Sequence, residues 1–187
     1  TIKNLISKGI QIIFESGIGD GIHADDKNFI DLGAKSVSWE TCFSDAEIIL
    51  TPGPIDDHEV RLIAGGKTLM GMMNPFDNQE LLKSLCDSNV NLISMEFVPR
   101  ITRAQKMDVL SSQANLAGYV AVIESSSLLS SAMPMMMTAA GTLKPARVFV
   151  IGVGVAGLQA IATANRLGAR VEAFDTRDVV EEQVQSL

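Results

Sequence analysis

Three glycines, Gly152, Gly154 and Gly157, follow the apolar run from Arg147 to Ile151 in the spacing G-x-G-x-x-G, and Asp175 closes the next apolar run, Arg170 to Phe174. Those residue types in that order suit the binding of a dinucleotide. Gly152 permits a tight turn off a strand, Gly154 lets the backbone approach a pyrophosphate, and Gly157 lets the next helix lie close on the sheet. That helix, opening at Val155, presents free N–H groups and a positive dipole end to the phosphates. A glycine triplet alone is a weak signal, because a flexible surface turn has the same composition. Here the flanking strands, a helix reaching about Leu167 and the terminal acid make it specific. A carboxylate at Asp175 accepts hydrogen bonds from the adenosine ribose and repels a 2′-phosphate, which favours NAD over NADP. Arg177 qualifies that preference, since a nearby arginine can accommodate the phosphate.

A second group of candidate residues lies in the polar stretch Arg100, Arg103, Gln105, Asp108 and Ser111. Taken singly, each reads as a helix cap or a solvated charge. The two histidines, His23 and His58, fall on a loop and at a surface helix start, and ordinary solvated or capping roles suffice for them. Cys42 and Cys86 are far apart, with no histidine at ligand spacing, so neither a disulfide framework nor a metal site is indicated, and buried free thiols are expected.

The chain that must position these groups has 187 residues, 47% of them hydrophobic, enough for one or two packed domains. Its 22 acidic against 15 basic residues give a net charge of -7, which argues against a nucleic-acid surface. No apolar run reaches the ~18 residues of a membrane span. Up to about Arg100, β-rich runs (IQIIFE, KSVSW, AEIIL, KTLMGMM, VNLISME) alternate with helical stretches near Asp25–Leu32, Asp56–Ala64 and Asn78–Asp87. That alternation indicates a parallel sheet flanked by helices. Asp108 to Leu129 reads as one long connecting helix. Pro134 is expected to start a second helix or kink the first, with Met133 to Met137 as core and Gly141 and Lys144-Pro145 closing the helical region.

The fold expected is therefore α/β, with two Rossmann-like subdomains joined by a long helix. Residues 1–107 form the first, 108–143 the connecting helices, and 144–187 the start of a dinucleotide-binding subdomain that is truncated. Two strands leave a doubly wound sheet half built, so the chain is expected to belong to a longer polypeptide.

The segment PRITRAQKMDVLSSQANLAGYVAVIE from Pro99, followed by MPMMMTAAGT and the glycine turn, resembles the NAD(H)-binding domain I of proton-translocating nicotinamide nucleotide transhydrogenase. The resemblance is close from about Val98 to Asp175 and looser before it. It implies NAD(H) in a cleft between two subdomains and hydride passing to NADP on a partner domain, coupled to proton flow by a membrane domain. It also implies a homodimer and a soluble module peripheral to a membrane, on the cytoplasmic side in bacteria or the matrix side in mitochondria. By that resemblance Arg100 and Asp108 form a charge pair orienting the carboxamide, Gln105 reaches the partner nucleotide, and Ser111 bonds the carboxamide. Arg100 and Arg103 join Gly152, Gly154, Val155, Gly157, Asp175 and Arg177 in holding the cofactor.

Alanine dehydrogenase shares this architecture and is the principal rival. Its reaction moves protons and calls for a lysine and a histidine after the strands that here read AEIILTPGP and KTLMGMMNP. Here Thr51-Pro52-Gly53-Pro54 and Met72-Met73-Asn74 stand instead. A non-catalytic NAD-binding module is the third reading, and it leaves the Arg100–Ser111 loop without a purpose.

Overall fold

In a computed structural model of the chain, residues 1–186 are described. The chain divides into two compact units, Thr1–Val98 and the residues from Pro99 onward. This boundary lies ahead of the expected one, so residues 99–107 and the long helix both belong to the second unit.

The first unit runs α1 (Ile2–Ile6), β1 (Ile13–Glu15), α2 (Asp26–Ile30), β2 (Lys35–Val37), α3 (Trp39–Asp45), β3 (Ile48–Thr51), α4 (Asp57–Leu62), β4 (Thr68–Gly71), α5 (Gln79–Asp87) and β5 (Asn91–Ser94). All its strand pairs are parallel: β1 with β2, and β3–β4–β5 in that order. One side of the three-stranded sheet buries Ile49 and Leu69 with Phe43, Val60, Met73 and Leu85, and these apolar contacts hold the unit together. Helix α4 starts at a capping box, in which Asp56 accepts from the Glu59 amide and Glu59 accepts from the Asp56 amide.

Two expectations here need correction. The run KSVSW stays extended only to Val37. Ser38 then accepts the Thr41 amide and starts α3, which carries Phe43 into the core. Of the two thiols expected to be buried, only Cys42 is partly so, and burial raises its pKa, with a further push from Glu15. Cys86 is exposed beside the buried Leu85.

The second unit runs α6 (Val109–Leu128), β6 (Met136–Thr138), β7 (Gly141–Leu143), β8 (Arg147–Ile151), α7 (Val155–Arg166), β9 (Arg170–Phe174) and α8 (Glu181–Gln185). Strands β8 and β9 are parallel neighbours joined through α7, the crossover that a parallel pair needs. Val148 and Val171 pack with Val122, Met133 and Ala164, while Val150 and Ala173 pack with Val153, Ile161 and Val180. The alternate residues Phe149, Ile151 and Phe174 point the other way and are exposed.

No helix begins at Pro134, contrary to the sequence expectation. Pro134 lies against Gly168 at the end of α7, where an added Cβ would meet it at 2.8 Å. Beyond Pro134 the chain forms the antiparallel β6–β7 hairpin. Gly141, at φ +145°, belongs to that hairpin and closes no helix. Of the methionines expected in the core, Met133 is buried, whereas Met135, Met136 and Met137 are exposed.

Helix α6 bears directly on α7 at one small residue. A Cβ on Gly118 would lie 2.1 Å from the Ala156 carbonyl oxygen, in the first turn of α7. Only a residue with no side chain fits. Gly118→Ala should therefore lower stability by about 1–3 kcal/mol, the usual range for overpacking. Gly21→Ala, whose added Cβ meets nothing within 4 Å, should leave the melting temperature nearly unchanged. Equal melting temperatures for both variants and the parent would contradict this packing.

Candidate functional site: a glycine turn held by an inward carboxylate

Strand β8 ends at Ile151, and Gly152 turns the chain with φ +91°, a conformation that side chains disfavour. Its amide donates to the Phe174 carbonyl, tying the turn to the end of β9. At Gly157 an added Cβ would lie 1.9 Å from the Gly152 carbonyl oxygen, so the absent side chain sets how near α7 comes to β8. Gly154 differs from both. It is the N-cap of α7, makes no side-chain cap bond, and has φ -86°; a Cβ there would meet nothing within 4 Å. Packing within the protein does not require a glycine at that position, whereas close approach by a phosphate does. The residues present thus fit a bound pyrophosphate, with Val155 opening the helix beside it at 40% exposure.

Asp175 stands where sequence placed it, at the end of β9, but its carboxylate faces inward and its side chain is only 7% exposed. One oxygen, Oδ2, accepts from the Val153 amide at 2.7 Å and from Arg177 Nη2 at 2.9 Å. The other, Oδ1, accepts from the Arg177 amide and Nε, both at 2.9 Å. Arg177 Nη2 also donates to the Val153 carbonyl at 3.1 Å. The guanidinium foremost, then the Val153 and Arg177 amides, hold the Asp175 carboxyl far below the usual carboxylate range, and the same pairing raises the pKa of Arg177. The sequence placed Asp175 as an acceptor for ribose hydroxyls; in the structure its oxygens accept from Val153 and Arg177. The carboxylate is already neutralised by a two-point ion pair.

The Arg100–Ser111 stretch enters α6 through a short 3-10 turn, Gln105–Met107. Arg100, Arg103 and Gln105 are exposed, while Ala104 between them is buried and anchors the turn. Asp108 is the N-cap of α6 and accepts from both the Ser111 amide (2.9 Å) and the Ser111 hydroxyl (2.6 Å). These bonds, with a smaller contribution from the Arg100 charge, lower the Asp108 pKa. Among the described residues Arg100 makes no ion-pair contact with Asp108; its influence acts over a longer distance. Ser111 lies seven residues before Gly118, so the cap is on the order of 10 Å along the α6 axis from where that helix meets the first turn of α7. Sequence reasoning missed Gly118, although a lone glycine inside a helix pattern was its visible sign.

The positions that would distinguish an amino-acid dehydrogenase are also defined. Met73 after β4 is fully buried in the core and is followed by Asn74 at φ +46°. His23 is exposed in a left-handed cap, and His58 stacks on Trp39 with centroids 5.5 Å apart. Neither histidine makes an ion pair with a carboxylate among the described residues.

A parallel α/β fold with a glycine-rich strand–turn–helix and an acid ending the second strand defines a protein of the dinucleotide-binding class. The chain belongs to the alanine dehydrogenase/PNT family: the family's N-terminal domain matches residues 1–117 and its C-terminal domain residues 121–187. It is 47% identical, over 98% of its length and 49% of the relative's, to an NAD(P) transhydrogenase subunit alpha chain of Rickettsia prowazekii. Among solved structures, a transhydrogenase from Sinorhizobium meliloti superposes with a TM-score of 0.95 at 44% identity, covering 99% of this chain and 55% of that one. An L-alanine dehydrogenase superposes at 0.85 with 21% identity, covering 99% of this chain and 52% of that one, a likeness of fold. The chain spans about half the length of the curated relatives it matches.

The Asp108 cap can be checked without any nucleotide. A carboxyl whose pKa is lowered by folding stabilises the protein above its unfolded pKa, and that stabilisation is lost as pH falls through the folded value. Asp108→Ala should therefore lower the melting temperature by a few degrees near neutral pH. The difference from the parent protein should shrink on acidification below about pH 4. A gap that is constant with pH would contradict this role for the carboxylate.

Proposed function

We propose that this chain is the NAD(H)-binding component of a proton-translocating NAD(P) transhydrogenase. The observation that carries the proposal is the open space beside Gly154 at the start of α7, in a chain similar along its whole length to transhydrogenase alpha subunits. The pyrophosphate binds at the amides of the Gly154–Gly157 turn, the adenosine ribose at Asp175, and the nicotinamide near the Asp108 cap. Arg177 borders the ribose, and Arg100 and Arg103 supply positive charge from the loop.

When bound, the nicotinamide supplies the carbon that gives or takes the hydride. The residues of this chain position it and keep water away, because hydride exchange between two nicotinamide rings moves no separate proton. Ser111 Oγ donates its hydrogen bond to Asp108, which leaves the hydroxyl oxygen free to accept from a carboxamide N–H. Arg100 adds positive charge at longer range from Asp108 and helps orient the carboxamide, and the exposed Gln105 reaches the nucleotide held by the partner. The NADP(H)-binding and membrane domains are the partners, and this module is peripheral to the membrane. Among the described residues no helix is long and apolar enough to cross one. A homodimer completes the reading, and the exposed apolar hairpin bearing Met136, Met137 and Leu143 offers a surface for it.

The alanine dehydrogenase reading is disfavoured by the buried Met73 and by the two exposed histidines, which leave no proton-handling pair. Fluorescence titration of the full polypeptide should show NADH bound more tightly than NADPH. Hydride exchange should appear only when an NADP-binding partner is added, with no alanine oxidation. Gln105→Asn should slow exchange while hardly changing NADH affinity, since it acts on the transition-state arrangement more than on ground-state binding. Arg100→Ala should slow it by ~10²-fold through misplaced ring geometry. Wild-type exchange rates in both variants, or robust alanine oxidation by the parent, would overturn the proposal.

A further inference from the structure

A carboxylate offers about four lone-pair positions, and four N–H groups occupy those of Asp175: the Val153 amide, the Arg177 amide, and Nε and Nη2 of Arg177. None is left for a ribose hydroxyl. The donors differ in how readily they can leave. Val153 is 2% exposed and fixed inside the glycine turn, whereas the Arg177 side chain is 58% exposed at the rim of a cavity of ≈ 380 Å³. That cavity is lined by Val153, Phe174, Asp175, Arg177, Asp178 and Glu181, among other residues. Only the arginine half of the pair reaches solvent, so the guanidinium, and neither the carboxylate nor the Val153 amide, is the group that can exchange for a ligand.

We infer that Arg177 is a specificity-determining residue: its guanidinium closes the ribose-binding carboxylate and must swing off Asp175 before a dinucleotide can bind there. The inference rests on the dinucleotide reading above and adds the residue that sets its selectivity. While closed, the Asp175–Arg177 pair has no net charge, so Asp175 alone repels a 2′-phosphate only weakly. Once open, a nucleotide bearing a ribose diol gains the freed carboxylate, and one bearing a 2′-phosphate gains the freed guanidinium. Asp178 and Glu181 on the same rim oppose the phosphate. Arg177 thus acts in opposite directions on the two nucleotides, as a competitor against NADH and as a partner for NADPH.

The test is a set of NADH and NADPH titrations on the full polypeptide with Arg177→Ala, Arg177→Lys, Asp175→Ala and the double variant Asp175→Ala/Arg177→Ala. Removing Arg177 should tighten NADH by about 3-fold, the scale of one ion pair open to solvent on its arginine side, and weaken NADPH. Arg177→Lys, which keeps the charge but loses the fork, should fall between. With Asp175 already replaced, removing Arg177 should leave NADH affinity unchanged, because no acceptor remains to be uncovered. Weaker or unchanged NADH binding in Arg177→Ala would overturn the inference, as would the same change in both backgrounds. Either result leaves the dinucleotide site standing. A parent protein that binds neither nucleotide would overturn both.

Discussion

The carbonyl oxygen of Gly152 lies where the first atom of a side chain at Gly157 would be, 1.9 Å from an added Cβ. That forbidden side chain governs the second unit. Because α7 can begin so near the end of β8, its first turn stands beside the strand end and its amides face the space in front of Gly154. Ala156, in the same turn, meets Gly118 of α6, so a second missing side chain fixes the long helix against the first. The Asp108 cap at the start of α6 is thereby placed at a set distance along a rigid rod. Glycine turn and polar loop are related by two close backbone approaches that belong to one compact unit.

Asp175 serves this geometry before it serves any ligand. Its bond to the Val153 amide holds the turn onto β9, and Arg177 completes the coordination. A carboxylate so engaged is a structural tie, and on the proposed reading it becomes an acceptor once the exposed guanidinium exchanges. In the proposed hydride exchange, which needs positioning and no acid–base pair, such groups would be this chain's contribution.

What the sequence revealed and what it hid follow from the range of the forces involved. The strands and the glycine turn were legible because their signals are local, in apolar runs, glycine spacing and the terminal acid. Helix α3 was missed because Trp39 looks like a strand residue, while the deciding event is Ser38 capping an amide three residues on. The methionines around Pro134 suggested core, yet only Met133 has a partner surface; Met135 to Met137 lie at or just before a hairpin strand whose exposure depends on tertiary context. The Arg100–Ser111 residues could be singled out by type, but the pairing of Ser111 with Asp108, in place of Arg100 with Asp108, depends on where the helix begins. Most consequential, nothing in the order Asp-Thr-Arg shows that the arginine folds back over the acid.

The central claim is that a dinucleotide lies against the Gly152–Gly157 turn of this chain, and glycine-selective amide NMR of the full polypeptide during NADH titration tests it most directly. The claim predicts saturable shifts of the Gly152, Gly154 and Gly157 amides at one dissociation constant, with Gly21 and Gly66 unmoved. Shifts confined to glycines before Val98, with the Gly152–Gly157 signals unchanged at saturating NADH, would contradict it.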